Sequence, residues 1–154
     1  MIAWFAVAMA SEPSPNSVQL DLGLAVAGVA YEREFLPWMS GRLAAQVTSP
    51  WYTGRRLAGM SLEARPFFFP WKGTLVGVYV SPFFRGAAIK AVVGDESRTG
   101  WGWTAGATAG LNVEVRRLLF RVGGGAQYWA YEPEPGFGLT GFWPDVDLIV
   151  GYRF

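Results

Sequence analysis

Three carboxylates of this 154-residue chain, Glu63, Glu114 and Asp147, could supply an acid–base pair for hydrolysis. The chain contains no histidine and no cysteine, which excludes a histidine-based catalytic triad, a histidine-ligated zinc ion and thiolate chemistry. All cationic side chains except Lys72 and Lys90 are arginines, whose planar guanidinium groups form paired hydrogen bonds with carboxylates. We therefore expect salt bridges rather than catalysis at these carboxylates, no enzymatic activity, and no cofactor or metal site.

A second group of residues has the chemistry of ligand recognition and lies in two segments that we expect to be loops. Aromatic and guanidinium side chains in such segments can bind a ligand, a glycan or a protein partner. The alternative is that they pack on one another or lie among lipopolysaccharide molecules. A net charge of +1 gives no basis for electrostatic binding of nucleic acid. The candidate contact residues are Trp51, Tyr52, Arg55, Arg56, Phe137, Phe142 and Trp143.

Apolar and polar residues alternate along most of the chain, which predicts β-strands, and no apolar run approaches the roughly 18 residues of a membrane-spanning helix. A closed bacterial barrel needs an even number of strands, which favours two strands around a tight reversal at residues 25–27. One long strand over residues 18–34 is the alternative. The predicted strands cover residues 18–24, 28–34, 39–48, 60–69, 74–90, 101–115, 118–129 and 145–154.

The predicted connections alternate in length. Short turns are expected at residues 35–38, 70–73 and 116–117, and long loops at residues 49–58, 91–100 and 130–144. This rhythm is typical of membrane barrels, which have short periplasmic turns and longer extracellular loops. A last strand that ends in the periplasm would place the three long loops outside the cell.

The two faces of the predicted sheet differ in character. One face is aliphatic with aromatic residues near the strand ends, as in the outer wall of a membrane barrel: Tyr31, Trp38, Phe68, Trp71, Trp103, Tyr128, Trp143, Tyr152 and Phe154. Eight strands enclose an interior that side chains can fill, and a buried charge needs a partner. We therefore predict a narrow lumen filled by salt bridges, with a proton or ion path as the alternative. The predicted lumen network is Asp21, Glu32, Arg42, Glu63, Arg65, Arg85, Glu114, Arg121, Asp147 and Arg153.

The N-terminal residues differ from the rest of the chain. Residues 1–10 are apolar and end in Ala8-Met9-Ala10, the small-x-small pattern of a secretory signal peptide, although an ordered N-terminal segment is the alternative. Residues 11–17 have the proline and serine content of a linker. The predicted organisation is a signal peptide or its remnant at 1–10, a linker at 11–17 and a β-barrel at 18–154.

Five stretches of the chain carry a resemblance to a known family: residues 28–32 (GVAYE), 39–47 followed by Ser49-Pro-Trp51, 62–70 (LEARPFFFP), the glycine-rich stretch at 106–114 and the terminal 151–154 (GYRF). Over about residues 18–154 the chain resembles small eight-stranded outer-membrane barrels of the OmpA/OmpX type, including uncharacterised barrels of Gram-negative envelopes. The resemblance implies an all-β, eight-stranded antiparallel up-and-down transmembrane β-barrel in the bacterial outer membrane, without established catalytic residues. It also implies a monomer among outer-membrane lipid and lipopolysaccharide, with Tyr152 and Phe154 recognised by the barrel assembly machinery.

Three functions are compatible with this pattern. The favoured one is a non-enzymatic integral outer-membrane protein with a closed lumen, whose barrel anchors surface loops for envelope structure or surface interaction. A small pore is the second, and it requires the arginine–carboxylate network to open. The third is an exported soluble barrel of the lipocalin kind with an apolar interior for a hydrophobic ligand, in which Asp21 and Arg121 would face outward.

Overall fold

Eight antiparallel strands form a closed barrel in the computed structural model, which describes residues 14–72 and 76–154. Each strand pairs with the next one along the chain, and the last pairs with the first, so the predicted up-and-down barrel is confirmed. Within the described residues no helix is long and apolar enough to span a membrane. The strands are β1 (Asn16–Leu22), β2 (Val26–Leu36), β3 (Met39–Thr48), β4 (Arg56–Lys72), β5 (Val76–Val93), β6 (Glu96–Val115), β7 (Leu118–Glu134) and β8 (Phe137–Arg153).

The first hairpin forms as two strands, as predicted, but its boundaries are shifted. Strand β1 begins at Asn16, so residues 16 and 17 of the predicted linker belong to the barrel. The reversal occupies residues 23–25 rather than 25–27. Strand β1 closes the ring through pairs with β8 that run from Ser17↔Arg153 to Asp21↔Ile149. The predicted signal peptide at 1–10 lies outside the described residues.

Two of the three predicted long loops are instead tight hairpins. Strands β5 and β6 meet at a turn of residues 94–95, and β7 and β8 meet at residues 135–136. Gly94 and Gly136 adopt positive φ angles of 60° and 85°, which glycine accepts without steric cost and which close two-residue turns. Pro133 lies where the register between β7 and β8 shifts. Because the strand pairing is already interrupted there, the missing N–H of Pro133 does not disturb the hydrogen bonds of the ladder on either side.

The remaining connections follow the prediction more closely. Residues 49–55 form a loop that contains a short 3-10 helix, Trp51–Thr53. Short turns occur at residues 37–38 and 116–117. Strand β4 continues to Lys72, so residues 70–72 of the second predicted short turn belong to a strand. Residues 73–75 lie outside the described part of the chain.

The strand alternation directs apolar side chains outward and charged side chains inward. Leu43 and Leu62 are 67% and 72% exposed, whereas their neighbours Arg42 and Glu63 are each 2% exposed. Asp21 and Arg121 face inward and are buried, which contradicts the soluble ligand-binding barrel that required them outside. Trp143 was predicted on the outer wall but faces inward, because it pairs with the inward-facing Gln127 of β7.

Candidate functional site

The ten residues predicted to form a lumen network all occupy inward positions of the barrel wall. Nine of them are buried, and Glu114 is partly exposed near the C-terminal end of β6. Because the strands are tilted and staggered, inward side chains from non-adjacent strands meet across the interior. The charged groups form one central chain, two cross-lumen clusters and one cluster at the barrel end that carries the turns at residues 37–38 and 116–117.

The central chain is built around Glu63 of β4. Arg42 donates one hydrogen bond to Glu63 Oε1 at 2.9 Å and another to Asp21. Arg85 Nη2 lies 2.6 Å from Glu63 Oε2, and Arg65 Nε lies 3.5 Å from Oε1. Three guanidinium groups therefore surround a single carboxylate that is 2% exposed. This clustering compensates the cost of removing each charge from water.

The first cross-lumen cluster joins Arg121 of β7 to Glu32 of β2. Arg121 contacts both carboxylate oxygens, with Nη2 2.8 Å from Oε1. Gln19 Nε2 and Ser40 Oγ donate to the same carboxylate at 2.7 Å and 2.6 Å. The guanidinium carbon of Arg121 also lies 4.2 Å from the ring centroid of Phe67. The pair is bidentate and stacked, the geometry for which arginine is suited.

The second cluster holds Asp147 of β8. Arg65 Nη1 lies 2.8 Å from Asp147 Oδ1, while the Tyr79 and Thr108 hydroxyls donate to Oδ2 at 3.0 Å and 2.5 Å. Gly123 creates the space for this contact, because a Cβ atom built there would lie 2.2 Å from Tyr79 Oη. A small residue on β7 thus allows a tyrosine on β5 to cross the interior.

The fourth cluster lies at the barrel end that carries the turns at residues 37–38 and 116–117, and it includes residues that the sequence did not single out. Arg153 contacts Glu34 Oε2 and Glu114 Oε1, each at 2.9 Å. Lys72 Nζ lies 2.9 Å from the other oxygen of Glu34. Glu34 follows Glu32 by two residues in the same strand. The two-residue period of a strand therefore predicts that Glu34 also faces inward.

Asp145 is a further buried carboxylate that was left out of the predicted network. It is 4% exposed, accepts a hydrogen bond from Gln127 Nε2 at 3.1 Å, and lies 3.9 Å from Arg65 Nη2. Asp145 precedes Asp147 by two residues in β8, so the two-residue period of a strand predicts that both side chains face inward. Within residues 14–72 and 76–154, no group of three or more carboxylates has the geometry to hold a metal ion.

The predicted loop-contact residues separate into three groups. Tyr52 and Trp143 pack together inside the barrel end that carries the hairpin turns at residues 94–95 and 135–136, with ring centroids 6.0 Å apart. They contact a buried cluster that includes Trp129 and Tyr131. Phe137 packs against the same cluster. The other residues lie outside it: Trp51, Arg55, Arg56 and Phe142 are exposed.

The surroundings of Tyr52 alter the ionisation of its phenol. Burial raises the pKa of its phenol to about 12, and the nearby charge of Asp145 acts in the same direction. Tyr52 therefore stays neutral at physiological pH. It covers this end of the barrel interior with an aromatic ring and an uncharged hydroxyl.

The outer wall carries a row of aromatic rings across four neighbouring strands. Phe84, Trp103, Tyr128 and Phe142 contact one another in sequence, with centroid separations of 6.1, 5.8 and 5.1 Å. At the opposite end of the barrel, beside the turn at residues 37–38, Trp38 stacks on Phe68 at 6.4 Å. Aromatic belts of this kind mark the boundaries of the hydrocarbon layer in membrane barrels.

Solved structures with the same architecture belong to small outer-membrane barrels, although no family model and no curated protein matches the chain. The N-terminal β-barrel domain of Pseudomonas aeruginosa OprF has a TM-score of 0.69 at 14% identity, covering 93% of this chain and 100% of that domain. Neisserial surface protein A (NspA) has a TM-score of 0.61 at 11% identity, covering 93% and 98%. Ail, the attachment invasion locus protein of Yersinia pestis, has a TM-score of 0.52 at 15% identity, covering 94% and 100%. The chain therefore has the fold of the small eight-stranded outer-membrane β-barrels, and the predicted resemblance is confirmed at that level.

Proposed function

We propose that this chain is a non-enzymatic integral protein of the bacterial outer membrane, with a lumen closed by its own salt bridges and a barrel that anchors surface hairpins. The observation that carries the proposal is the contrast between the two faces of the wall. Leu43, Met60 and Leu62 are 67%, 72% and 72% exposed outside, whereas Glu63 and Arg85 are each 2% exposed inside. A continuous apolar exterior of this kind is stable against hydrocarbon and prone to aggregate in water.

The closed ring of strands supports the same location. Hydrocarbon offers no hydrogen-bond partner for a free backbone N–H or C=O group. A β-sheet can therefore span a membrane only when all its backbone groups are paired within the sheet. The pairing of β1 with β8 removes the two edges that an open sheet would expose. The aromatic row on the outer wall then lies at the extracellular boundary of the bilayer.

The arrangement of charges supports a lumen that does not conduct. Arg121 and Glu32 span the interior from β7 to β2, and Arg65 and Asp147 span it from β4 to β8. Both pairs are buried, so separating them would leave charges unpaired at a cost of several kcal/mol. An open pore would require several such separations at once.

The same contacts support a role other than catalysis. A general acid or base needs a carboxylate that is free to exchange protons with a substrate. Glu63 is enclosed by three guanidinium groups, and Asp147 accepts hydrogen bonds from Arg65, Tyr79 and Thr108. Glu114 is salt-bridged to Arg153.

The extracellular hairpins are joined to each other above the wall. Arg98 of β6 lies 2.8 Å from Glu134 Oε2 of β7 and 3.2 Å from Glu96 Oε2, and its guanidinium covers the ring of Phe137 at 5.2 Å. These contacts support the proposal that the two hairpins form one platform for contacts at the cell surface. Exposed single salt bridges are weak, so the platform depends on the network and the aromatic contact together.

The partners proposed for the barrel are lipid, lipopolysaccharide and the assembly machinery. Tyr152 and Phe154 are 44% and 53% exposed, so both side chains are accessible to a protein that recognises this strand. We propose that the protein works as a monomer.

Electrophoresis of the protein refolded in detergent tests the membrane-barrel proposal. A closed backbone ring resists SDS until it is heated, so the unboiled sample should migrate differently from the boiled one. The protein should also sediment with membranes. A single band, together with solubility in the absence of detergent, would contradict the proposal.

Planar-bilayer recording tests the closed lumen separately. Refolded protein that gives the heat-dependent shift should produce no discrete conductance steps. Reproducible unitary steps from the same preparation would replace the closed lumen with a small pore, while leaving the membrane location intact.

A further inference from the structure

A groove of about 500 Å³ lies beside the loop between β3 and β4, at the extracellular rim of the barrel. Arg55, Arg56 and Lys90 line it, together with Trp51. All three cations are exposed. The groove therefore presents positive charge to the outside of the barrel at one position on its circumference.

The strand register brings two of these cations together. Arg56 pairs with Val92, and Ala58 pairs with Lys90, so Arg56 and Lys90 are diagonal neighbours on the outward face of β4 and β5. Diagonal neighbours of an antiparallel pair lie roughly 7 Å apart, within reach of long side chains. Arg55 immediately precedes Arg56 and lies in the same groove.

These cations differ from the inward-facing arginines in lacking a protein partner. In the part of the chain that the structure describes, none of the three has a carboxylate within 4 Å, whereas Arg42, Arg65, Arg85, Arg121 and Arg153 all do. Clustered like charges repel one another unless an anion lies among them. The groove is therefore electrostatically suited to an anionic ligand from outside the chain.

The position of the groove on the wall indicates where that anion comes from. One row below it, Met60 pairs with Ala88 and Ala88 pairs with Trp101, and Met60 and Trp101 are 72% and 81% exposed. In a bilayer these apolar side chains face hydrocarbon, and the indole ring of Trp101 lies near the boundary of the hydrocarbon layer. The cations above them lie at the level of the lipid head groups.

The loop that carries Arg55 is held in place by local hydrogen bonds. Trp51 Nε1 donates to the carbonyl of Leu24 at 2.9 Å, which ties the loop to the β1–β2 connection. Thr53 N donates to Pro50 O at 3.0 Å, and Arg55 N donates to Thr53 Oγ1 at 3.3 Å. A pre-ordered loop loses less conformational freedom when a ligand binds.

We propose that Arg55, Arg56 and Lys90 bind the phosphate groups of a phosphorylated glycolipid in the outer leaflet of the membrane. Guanidinium groups bind phosphate oxygens in pairs, and lysine adds a mobile point charge. The acyl chains of such a lipid would lie along the apolar wall below, beside Met60 and Trp101. This inference rests on the proposed location of the barrel in the outer membrane.

Binding of diphosphorylated lipid A to the full chain in zwitterionic detergent micelles tests the proposal. The triple variant Arg55→Gln, Arg56→Gln, Lys90→Gln should bind about 100-fold more weakly than the original protein, since each cation near an anionic surface contributes about fivefold. The matched control replaces three exposed cations at the periplasmic end, Arg33→Gln, Arg116→Gln and Arg117→Gln, and should change the affinity less than about threefold.

Two further ligands identify the source of the phosphate. Dephosphorylated lipid A should bind the original protein about as weakly as lipid A binds the triple variant, and millimolar inorganic phosphate should not displace lipid A. Equal binding by the triple variant, equal binding of dephosphorylated lipid A, or displacement by free phosphate would each overturn the proposal.

The heat-dependent electrophoretic shift keeps this test separate from that of the barrel. If the original protein lacks the electrophoretic shift, the proposed membrane location is refuted, and the proposed lipid site is refuted with it. If the shift is present and the substitutions have no effect, only the lipid site fails. If the triple variant does not fold, the single variants Arg55→Gln and Lys90→Gln should each weaken binding about fivefold, and unchanged binding in both would overturn the site.

Discussion

Arg121 on β7 contacts both carboxylate oxygens of Glu32 on β2 across the barrel interior. The strands that carry them are separated in the ring by β8 and β1. The two residues are 1% and 3% exposed, so neither charge can turn to water if the other is removed. This pair connects two non-adjacent parts of the wall across the lumen, and the closed lumen depends on contacts of this kind.

Removing one member of the pair should destabilise the barrel strongly. Arg121→Met leaves the carboxylate of Glu32 buried with only neutral donors, and we expect a loss of about 3–5 kcal/mol in the free energy of unfolding. Urea titration of the protein in vesicles, followed by tryptophan fluorescence, measures this loss.

The double variant Arg121→Met, Glu32→Gln serves as the control. It buries no unpaired charge, so much of the lost stability should return. A double variant as unstable as Arg121→Met alone would show that the loss came from packing rather than from the unpaired charge.

Gly123 and Gly124 are adjacent glycines that should respond differently to alanine. A Cβ atom at Gly123 would meet Tyr79 Oη at 2.2 Å and the carbonyl oxygen of Ala109 at 2.7 Å, whereas the nearest atom at Gly124 is 3.7 Å away. We expect Gly123→Ala to cost about 1–3 kcal/mol of unfolding free energy through overpacking. Gly124→Ala should be neutral or stabilise by up to about 1 kcal/mol.

Removal of the Tyr79 hydroxyl tests whether this group causes the destabilisation by Gly123→Ala. Gly123→Ala should cost less in a Tyr79→Phe background, because the closest clash is gone. The account of this contact is wrong if both alanine variants have the same unfolding midpoint, or if Tyr79→Phe gives no relief.

An arginine on the outer wall should be costly at mid-height and tolerated near the rim. Leu62→Arg places a charge in hydrocarbon and should lower the free energy of unfolding by about 2–4 kcal/mol, whereas Thr99→Arg near the extracellular end should cost about 0–1 kcal/mol. In a soluble barrel Leu62, being 72% exposed, would accept the charge at almost no cost. Equal and small effects at the two positions would therefore argue against a hydrocarbon environment.

Tyr52 should ionise at a higher pH than an ordinary tyrosine. Burial raises its pKa to about 12, so the difference in absorbance at 295 nm between the protein and a Tyr52→Phe variant should develop near that pH. The unfolded chain loses this proton first, near pH 10, so the neutral phenol favours the folded state below that pH, and the contribution disappears as the pH rises toward 12. Ionisation near pH 10 in the folded protein would contradict the packing of Tyr52 at the barrel end.

The sequence predicted the two faces of the wall because strand periodicity alone decides which side chains face inward. It placed Glu63, Arg65, Arg121 and the others inside before any contact was known. It did not predict the partners: Glu32 lies opposite Arg42 in the ladder, yet it binds Arg121. Those contacts depend on the stagger of the closed barrel, which local sequence patterns do not encode.

The errors at the hairpin turns have a different origin. Residues 94–98 and 132–136 are rich in glycine, proline and charge, which indicates loops, but a hairpin that projects beyond the packed interior can be polar on both faces. The segments of β5–β6 and β7–β8 next to the two hairpin turns therefore lack the apolar–polar alternation that marks the rest of these strands. The prediction of Trp143 on the outer wall was wrong for a related reason. Residues 130–144 have the composition of a loop, so they provide no strand register from which the inward direction of Trp143 follows.

Spin labels at two adjacent alanines of β3 test the central claim most directly. Ala44 faces inward and is 4% exposed, Ala45 faces outward, and the chain has no native cysteine to compete for the label. In vesicles, the label on Ala45→Cys should collide frequently with oxygen and rarely with a water-soluble nickel chelate, while the label on Ala44→Cys should collide rarely with both. Frequent chelate collisions at position 45 would contradict the membrane-facing wall, and frequent chelate collisions at position 44 would contradict the closed lumen.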